Sequence, residues 1–440
     1  MKHLLLTIAL AACANAHATL TLHVSSTTHF EALPGATAAR PERHEEEEVR
    51  LGEHYIAVAS GSTTNVFDFT QRKRYAIDTA KGSYVAYSLF DTVGFRVMEL
   101  ANRQNLARMM AAAKIDGAPF DQVFAEQSMS LQASAAGWLD EAADGGDTLA
   151  SIDGKLLARR SNAGREVSAP DAANFVQYLR YTAGGHPLVL ARLASARRIP
   201  ERLVLHFREG GQAITRSYQF SVSADSAAPS YDLKPYHARQ AEAAPDDLDQ
   251  ILDRAASAPP TGLASARDKL KNEMAKAWGD ARALDVTLGL MEFALQTGEA
   301  PAPLSDGQKA LLQGDPAVKQ FYAVIGADSK EKLQQALPVL QSLRPRSQGK
   351  QYMLALFEAN DRVRLGETKS AGPLYATVLN ANPWLAGAYK DLGDYAMINF
   401  DTPRAWRSWD AGRRIAPKLY LFDAVNQFEA RLAKDHPEYF

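Results

Sequence analysis

The sequence lacks most of the features that define common protein classes. Its 440 residues contain a single cysteine, Cys13, which can form no internal disulfide, so packed cores must stabilise the fold. Beyond the N-terminus, no stretch approaches the roughly 20 apolar residues of a membrane-spanning helix. Neither charge sign dominates: 49 Lys and Arg face 51 Asp and Glu, a net charge of −2. A nucleic-acid-binding domain has a strong basic excess, so no nucleic-acid partner is expected.

Motifs for catalysis and metal binding are also missing. There is no G-x-S-x-G nucleophile motif and no phosphate-binding loop. His17, His23 and His29 are six residues apart, which is about 20 Å along a strand and too far for neighbours to share one zinc ion. The sequence therefore predicts no catalytic residues, no metal and no cofactor. A hydrolase with an unrecognised site, around His186 or His206, remains an alternative.

The first 18 residues have the pattern of a secretory signal. A basic start precedes the apolar run Leu4–Ala12 and two A-x-A cleavage sites. The sequence therefore predicts export to a bacterial-type periplasm or cell envelope. Leu10–Cys13 resembles a lipobox, which implies a lipid on Cys13 and an N-terminal membrane anchor. Cleavage after Ala16 or Ala18 would instead remove Cys13 and leave a soluble protein, and both outcomes stay open.

Residues 19–236 are predicted to form an antiparallel β-rich domain with inserted helices. Alternating polar and apolar residues from Thr19 to Val24 are typical of a half-buried strand. Similar alternation recurs along this half, and glycine-containing turns separate the apolar runs. The main predicted elements are strands at 65–69, 74–79 and 83–87, a helix near 91–113, helical segments at 171–182 and 187–198, and hairpin turns at Asp153-Gly154 and Gly210-Gly211.

Aromatic residues concentrate on the early strands of this half. The strand meander is similar to periplasmic lipoprotein-carrier half-barrels, a resemblance that implies a curved sheet holding a lipid. On this interpretation the aromatic side chains line an apolar groove. The alternative is that they are ordinary core residues beneath the inserted helices. The candidate residues are Tyr55, Phe67, Phe69, Tyr75 and Tyr84.

The C-terminal part has a different composition. Residues 237–261 are rich in Ala, Pro and Asp and are predicted to be a linker with one short helix. From residue 262 to 440, apolar residues recur at helical spacing between polar breaks. The predicted fold class is therefore α+β, with an all-α domain of helical hairpins following the β-rich domain.

A repeat pattern marks the last hundred residues. It resembles the tetratricopeptide repeat over about residues 349–417, with a better-matched second unit and a degraded first one. Pro383 and Pro417 are separated by 34 residues, the period of that family. The resemblance implies paired helices that bind a protein partner. The matching residues are Tyr389, Leu392, Gly393, Ala405, Trp409 and Pro417, with Ala371, Tyr375 and Pro383 one period earlier.

Tryptophan and arginine on these helices are the candidate partner contacts, because both are frequent interface anchors. We therefore expect an exported, non-catalytic binding or scaffold protein whose C-terminal helices hold a protein partner. Carriage of a lipid or other apolar ligand by the β-rich domain is the alternative. The candidates are Trp384, Arg404, Trp406, Arg407, Arg413 and Arg414.

Overall fold

A computed structural model of the protein describes residues 20–32, 40–115, 121–131, 138–209, 211–224, 231–238, 247–258 and 260–440. The predicted signal, Cys13 and parts of the predicted linker lie outside these residues. The chain forms two compact units. The first contains residues up to Thr70 together with 100–235, and the second contains 71–99 together with 236–440.

Strands dominate the N-terminal half. In chain order they are β1 Leu20–Phe30, β2 Arg43–Leu51, β3 Tyr55–Ser60, β4 Thr63–Asp68, β5 Lys73–Asp78, β6 Ser83–Ser88, β7 Asp140–Asp144, β8 Asp147–Ile152, β9 Lys155–Ser161, β10 Gly164–Glu166, β11 Arg198–Pro200, β12 Arg202–Glu209, β13 Gln212–Ala224 and β14 His237–Ala238.

Helices dominate the C-terminal half. In chain order they are α1 Leu89–Ala112, α2 Gln122–Met129, α3 Ala169–Tyr178, α4 Pro187–Ser195, α5 Asp247–Ser257, α6 Pro260–Gly279, α7 Ala283–Thr297, α8 Asp306–Gly314, α9 Pro316–Val324, α10 Lys330–Leu343, α11 Gln351–Arg364, α12 Thr368–Ala381, α13 Ala386–Ile398, α14 Thr402–Ile415 and α15 Asp423–Asp435.

The first unit is built on an antiparallel sheet in the order β4-β3-β2-β1-β13-β12-β9-β8-β7. β1 lies near its centre, and Leu20, Leu22 and Val24 alternate into the core while His23 is exposed. This is the period of two that the sequence shows. The predicted turn at Asp153-Gly154 is confirmed, with both residues at positive φ as a tight hairpin requires.

The second unit combines the strands β5, β6 and β14 with the helices. β5 and β6 pair antiparallel along their length, and β14 pairs parallel with the start of β6. α1 begins directly after β6, and Gly94 in its second turn lies against Trp406 of α14. A Cβ added at Gly94 would lie 2.4 Å from that indole, so the close approach requires glycine. The aromatic rings of Phe90 and Phe440 are 4.7 Å apart.

Helices α13 and α14 pack closely against each other. Tyr389, Leu392 and Gly393 on α13 are buried, and so are Ala405 and Trp409 on α14. A Cβ on Gly393 would lie 2.2 Å from Nε1 of Trp409. The missing side chain therefore sets how closely the two helices approach.

The predicted α+β fold class is confirmed: an antiparallel β-rich sheet precedes a region of many helices. Residues 71–99, which the sequence pattern groups with the β-rich domain, belong instead to the second unit. The short helix expected in the linker is α5, which packs against α12 and α14. Among the described residues, no helix is long and apolar enough to cross a membrane.

Candidate binding site

A cavity of about 710 Å³ lies in the second unit between the β5–β6–β14 sheet and helices α5 and α14. It includes two of the predicted partner contacts, Arg407 and Arg414, and one of the predicted apolar-face residues, Tyr84. Its walls combine charged and small apolar side chains. Its lining residues include Lys73, Tyr84, Val85, Ala86, Ala238, Asp253, Arg407, Asp410 and Arg414.

Ion pairs join α5 to α14 at this cavity. Arg407 donates to Asp253, and its other terminal nitrogen lies 3.3 Å from Asp249. Arg404 lies 3.2 Å from the second oxygen of Asp249. The Asp253 side chain is only 3% exposed, and this burial raises the pKa of Asp253 while the Arg407 charge lowers it. These ion pairs hold α5, a short helix within the Ala-, Pro- and Asp-rich predicted linker, against α14.

A second chain of charges crosses from the sheet to α14 and α15. Lys73 of β5 lies 2.5 Å from Asp410, and Arg413 lies 2.6 Å from the same carboxylate. Arg413 also donates to Glu429, at 2.7 and 2.8 Å. Arg413, a predicted partner contact, is therefore shared between two carboxylates of its own unit.

The two remaining predicted contacts on α14 differ sharply in exposure. Trp406 is completely buried, and its indole N–H donates to Glu429 at 2.9 Å. It therefore packs in the interior. Arg414 is exposed and donates to the main-chain carbonyl of Ala256 at 2.7 Å. Its contact is a carbonyl rather than a carboxylate, so its positive charge is available at the cavity.

Trp384, the last predicted contact, lines a different cavity of about 550 Å³. Of the other residues that line it, Glu292 and Glu273 lie 2.6 and 2.7 Å from Lys350, and Tyr352 donates to Glu292 at 2.5 Å. Burial, followed by the Glu292 charge, raises the pKa of Tyr352. Sequence reasoning missed this cluster because Glu273, Glu292 and Lys350 lie far apart in the chain and form no local motif.

The five predicted apolar-face residues divide between the two units. In the first unit the Phe67 and Phe69 rings lie 4.9 and 5.9 Å from that of Tyr181, and Tyr55 lies 5.3 Å from Tyr231. The other two, Tyr75 and Tyr84, form an edge-to-face pair in the second unit with centroids 5.7 Å apart. The structure does not bring all five together on one face within a single unit.

The histidines named for the hydrolase alternative also lie in the first unit. His186 is 2% exposed, caps the N-terminus of α4 and lies 3.0 Å from Glu126. His206 is half-buried on β12 beside Thr215, at 3.4 Å, and burial lowers its pKa. Across the described residues, no group of three or more His, Cys, Asp or Glu side chains is arranged to hold a metal ion.

Comparison with known proteins gives no further assignment, since neither a protein-family model nor a curated protein sequence matches this chain.

Proposed function

We propose that this chain is an exported, non-catalytic binding protein and that its second unit holds a protein partner at the cavity between β6, α5 and α14. The observation that supports this best is the cavity itself, which gathers the predicted contacts Arg407 and Arg414 beside the exposed Ala86. Arginine and tyrosine, which both line this cavity, are enriched at protein interfaces.

The tetratricopeptide-like character of the helices is part of the same proposal. The Tyr389, Gly393 and Trp409 spacing and the packing of α13 on α14 support it. Repeat helices of this kind present surfaces to partners rather than catalytic groups. The cell-envelope location rests on the N-terminal sequence, and the intact mass of the mature protein tests it. A lipid on Cys13 would indicate a membrane anchor, and a new N-terminus at His17 or Thr19 a soluble form.

Site-specific photo-crosslinking in the native host tests the partner site. A photoreactive phenylalanine analogue replaces Tyr84, which is half-buried at the cavity wall. The matched control replaces Tyr420, which is 72% exposed in the same unit and does not line the cavity. We expect one discrete crosslinked protein from position 84 and none from position 420. Equal crosslinking from both positions, or none from position 84, would contradict the proposal.

The alternative, carriage of a lipid by the β-rich domain, needs an apolar groove there. Phe67 and Phe69 contact Tyr181, and Tyr55 contacts Tyr231, so in the first unit these rings pack against the protein's own side chains. The alternative stays a prediction. Native mass spectrometry of protein purified from the envelope tests it, and a bound lipid that re-associates after extraction would support it.

A further inference from the structure

The cavity at Trp384 shares no lining residue with the proposed partner site and has polar groups of its own. Its volume of about 550 Å³ lies within the range of about 300–1,000 Å³ that is typical of small-molecule sites. Ser265, Lys269 and Glu273 recur every four residues along α6, which places them on one face of that helix, and all three line the cavity. Tyr352 at the start of α11 and Trp384 in the loop before α13 also line it.

Buried polar contacts fix part of this wall. Glu292, whose side chain is 3% exposed, accepts from Tyr352 at 2.5 Å and from Asn382 at 2.6 Å, and Lys350 lies 2.6 Å from its other oxygen. Lys350 also lies 2.7 Å from Glu273. These contacts join α6, α7, α11 and the loop after α12. Because a connected buried network of this kind is rigid, the polar wall is held in position by the protein itself.

The charges at this cavity cancel. Two carboxylates line it, those of Glu273 and Glu292. Lys350 contacts both of them, and Lys269, which also lines the cavity, lies 3.8 Å from Glu273. Two ammonium groups therefore balance two carboxylates. Burying a ligand charge without an opposite charge is unfavourable, so this cavity favours a neutral ligand.

Three groups on the wall keep hydrogen-bonding capacity for a ligand. Among the described residues, neither the indole N–H of Trp384 nor the hydroxyl of Ser265 has a hydrogen-bond partner, and Oε1 of Glu273 has only the ion pair with Lys269. They supply a donor, a group that both donates and accepts, and an acceptor. The Trp384 ring adds an apolar surface that is packed against Gly262, where an added Cβ would lie 2.3 Å from Cζ2 of the indole.

From this combination we infer that the cavity binds a neutral saccharide. Each hydroxyl of a sugar ring can both donate and accept, so one ring can use the donor and the acceptor of the wall together. The C–H groups of the ring form an apolar face, which suits an aromatic side chain that also carries an N–H. A quaternary ammonium ligand would also favour aromatic rings, but the carboxylates of this cavity are already neutralised by lysine.

Saturation-transfer difference NMR on the full chain tests this site, with maltose, cellobiose, lactose and N,N′-diacetylchitobiose as probes. We expect at least one of them to bind. Trp384→Ala should weaken its binding at least about tenfold, or about 1.4 kcal/mol, because the apolar surface and the N–H are lost together. The matched control is Trp138→Ala, which removes an indole that is 90% exposed in the first unit and should leave the affinity unchanged.

Two further measurements do not depend on the stability of the Trp384 variant. Glu273→Gln keeps the shape of a side chain that is 42% exposed and should weaken binding several-fold, because hydrogen bonds to a charged acceptor are the stronger ones. In the unsubstituted chain, the bound saccharide should slow hydrogen exchange at the amides of Tyr352 and Trp384. Unchanged exchange at both amides under saturating saccharide would place the bound sugar elsewhere and overturn the inference.

Three other results would also overturn it. One is the absence of binding by all four saccharides. Another is an equal loss of binding from Trp384→Ala and Trp138→Ala, which would indicate unspecific stacking on exposed indoles. The third is stronger binding of choline, a cationic probe, than of any saccharide. Thermal unfolding of each variant distinguishes a lost site from a lost fold. None of these results changes the crosslinking expected at Tyr84, so the proposed function is tested separately.

Discussion

At the scale of single residues, glycine positions decide how closely the helices of the second unit pack. Gly393 on α13 faces Trp409 on α14, and an added Cβ would lie 2.2 Å from Nε1. Both residues are buried, so the indole has little room to move. Overpacking of this kind typically costs about 1–3 kcal/mol.

We therefore expect Gly393→Ala to lower the free energy of unfolding by about 1–3 kcal/mol, as measured by urea denaturation. The control is Gly307→Ala in α8, where an added Cβ meets no atom within 4 Å. There the better helix propensity of alanine should raise the free energy of unfolding by up to about 1 kcal/mol. If both substitutions stabilise the protein, the tight contact between Gly393 and Trp409 is wrong.

Asp91 in the first turn of α1 is a second residue-scale case. Its side chain accepts from Thr92 at 2.8 Å, but Oδ2 is buried without a hydrogen-bond partner among the described residues. Burial raises its pKa from 3.8 to about 6. Between these two values the folded state binds more protons than the unfolded state, so stability falls as pH rises. The full difference is up to about 3 kcal/mol.

Asp91→Asn should remove this pH dependence. We expect the variant to be more stable than wild type at pH 7, by up to about 3 kcal/mol, with the gain disappearing toward pH 4. Urea denaturation at pH 4, 5, 6 and 7 measures it. The control, Asp306→Asn, changes a fully exposed carboxylate and should leave the pH profile unaltered. A gain at pH 7 that persists at pH 4 would show that the charge of Asp91 is not the cause.

At the scale of elements, α5 depends on ion pairs with α14. Arg407 neutralises Asp253, whose side chain is 3% exposed. Removing one member of a buried pair typically costs about 3–5 kcal/mol, because the other charge is left uncompensated. Arg404 is in a weaker position, since its partner Asp249 keeps Arg407 when Arg404 is removed.

Arg407→Ala should lower the free energy of unfolding by about 3 kcal/mol at pH 8 and expose the amides of α5 to hydrogen exchange. The loss should be smaller at pH 5, because protonation of Asp253 removes the uncompensated charge. The matched variant, Arg404→Ala, should cost less than about 1 kcal/mol. Equal losses from both substitutions would mean that burial of Asp253 is not what makes Arg407 important.

The elements also show which features of the fold the sequence pattern predicts and which it does not. Alternation identified β5 and β6, and helical spacing identified α13 and α14, because both periods follow from local geometry. The same patterns do not say which core a buried face joins. The Lys73–Asp410 contact joins positions 337 residues apart, and no local period records it. For this reason the sequence pattern groups residues 71–99 with the β-rich domain, although they pack with the helices of the second unit.

The candidate site was only partly predictable, because residue type does not record whether a side chain is buried. Residue type alone singled out Arg407 and Arg414, since arginine is a frequent interface anchor. Residue type did not separate the exposed Arg414 from the fully buried Trp406.

At the scale of the whole molecule, the second unit is discontinuous in sequence. Its C-terminal part contacts residues 71–99 through the Lys73–Asp410 ion pair, the Phe90–Phe440 ring contact and the packing of Trp406 on Gly94. A fragment that starts at residue 236 lacks one side of all three contacts. It therefore leaves Trp406 and Phe440, both large aromatic residues, without part of their packing.

We expect fragment 236–440 to melt at least about 10 °C below a fusion that restores residues 71–99 through a flexible linker at its N-terminus, since a few kcal/mol correspond to a shift of this size in a 200-residue domain. Circular dichroism measures both transitions. A third protein, the same fusion with Gly94→Leu, places a side chain against Trp406 and should lose most of the gain. If the fragment melts as the fusion does, residues 71–99 are not part of the folding unit, and the cavity wall formed by β5 and β6 would have to be supported by other contacts.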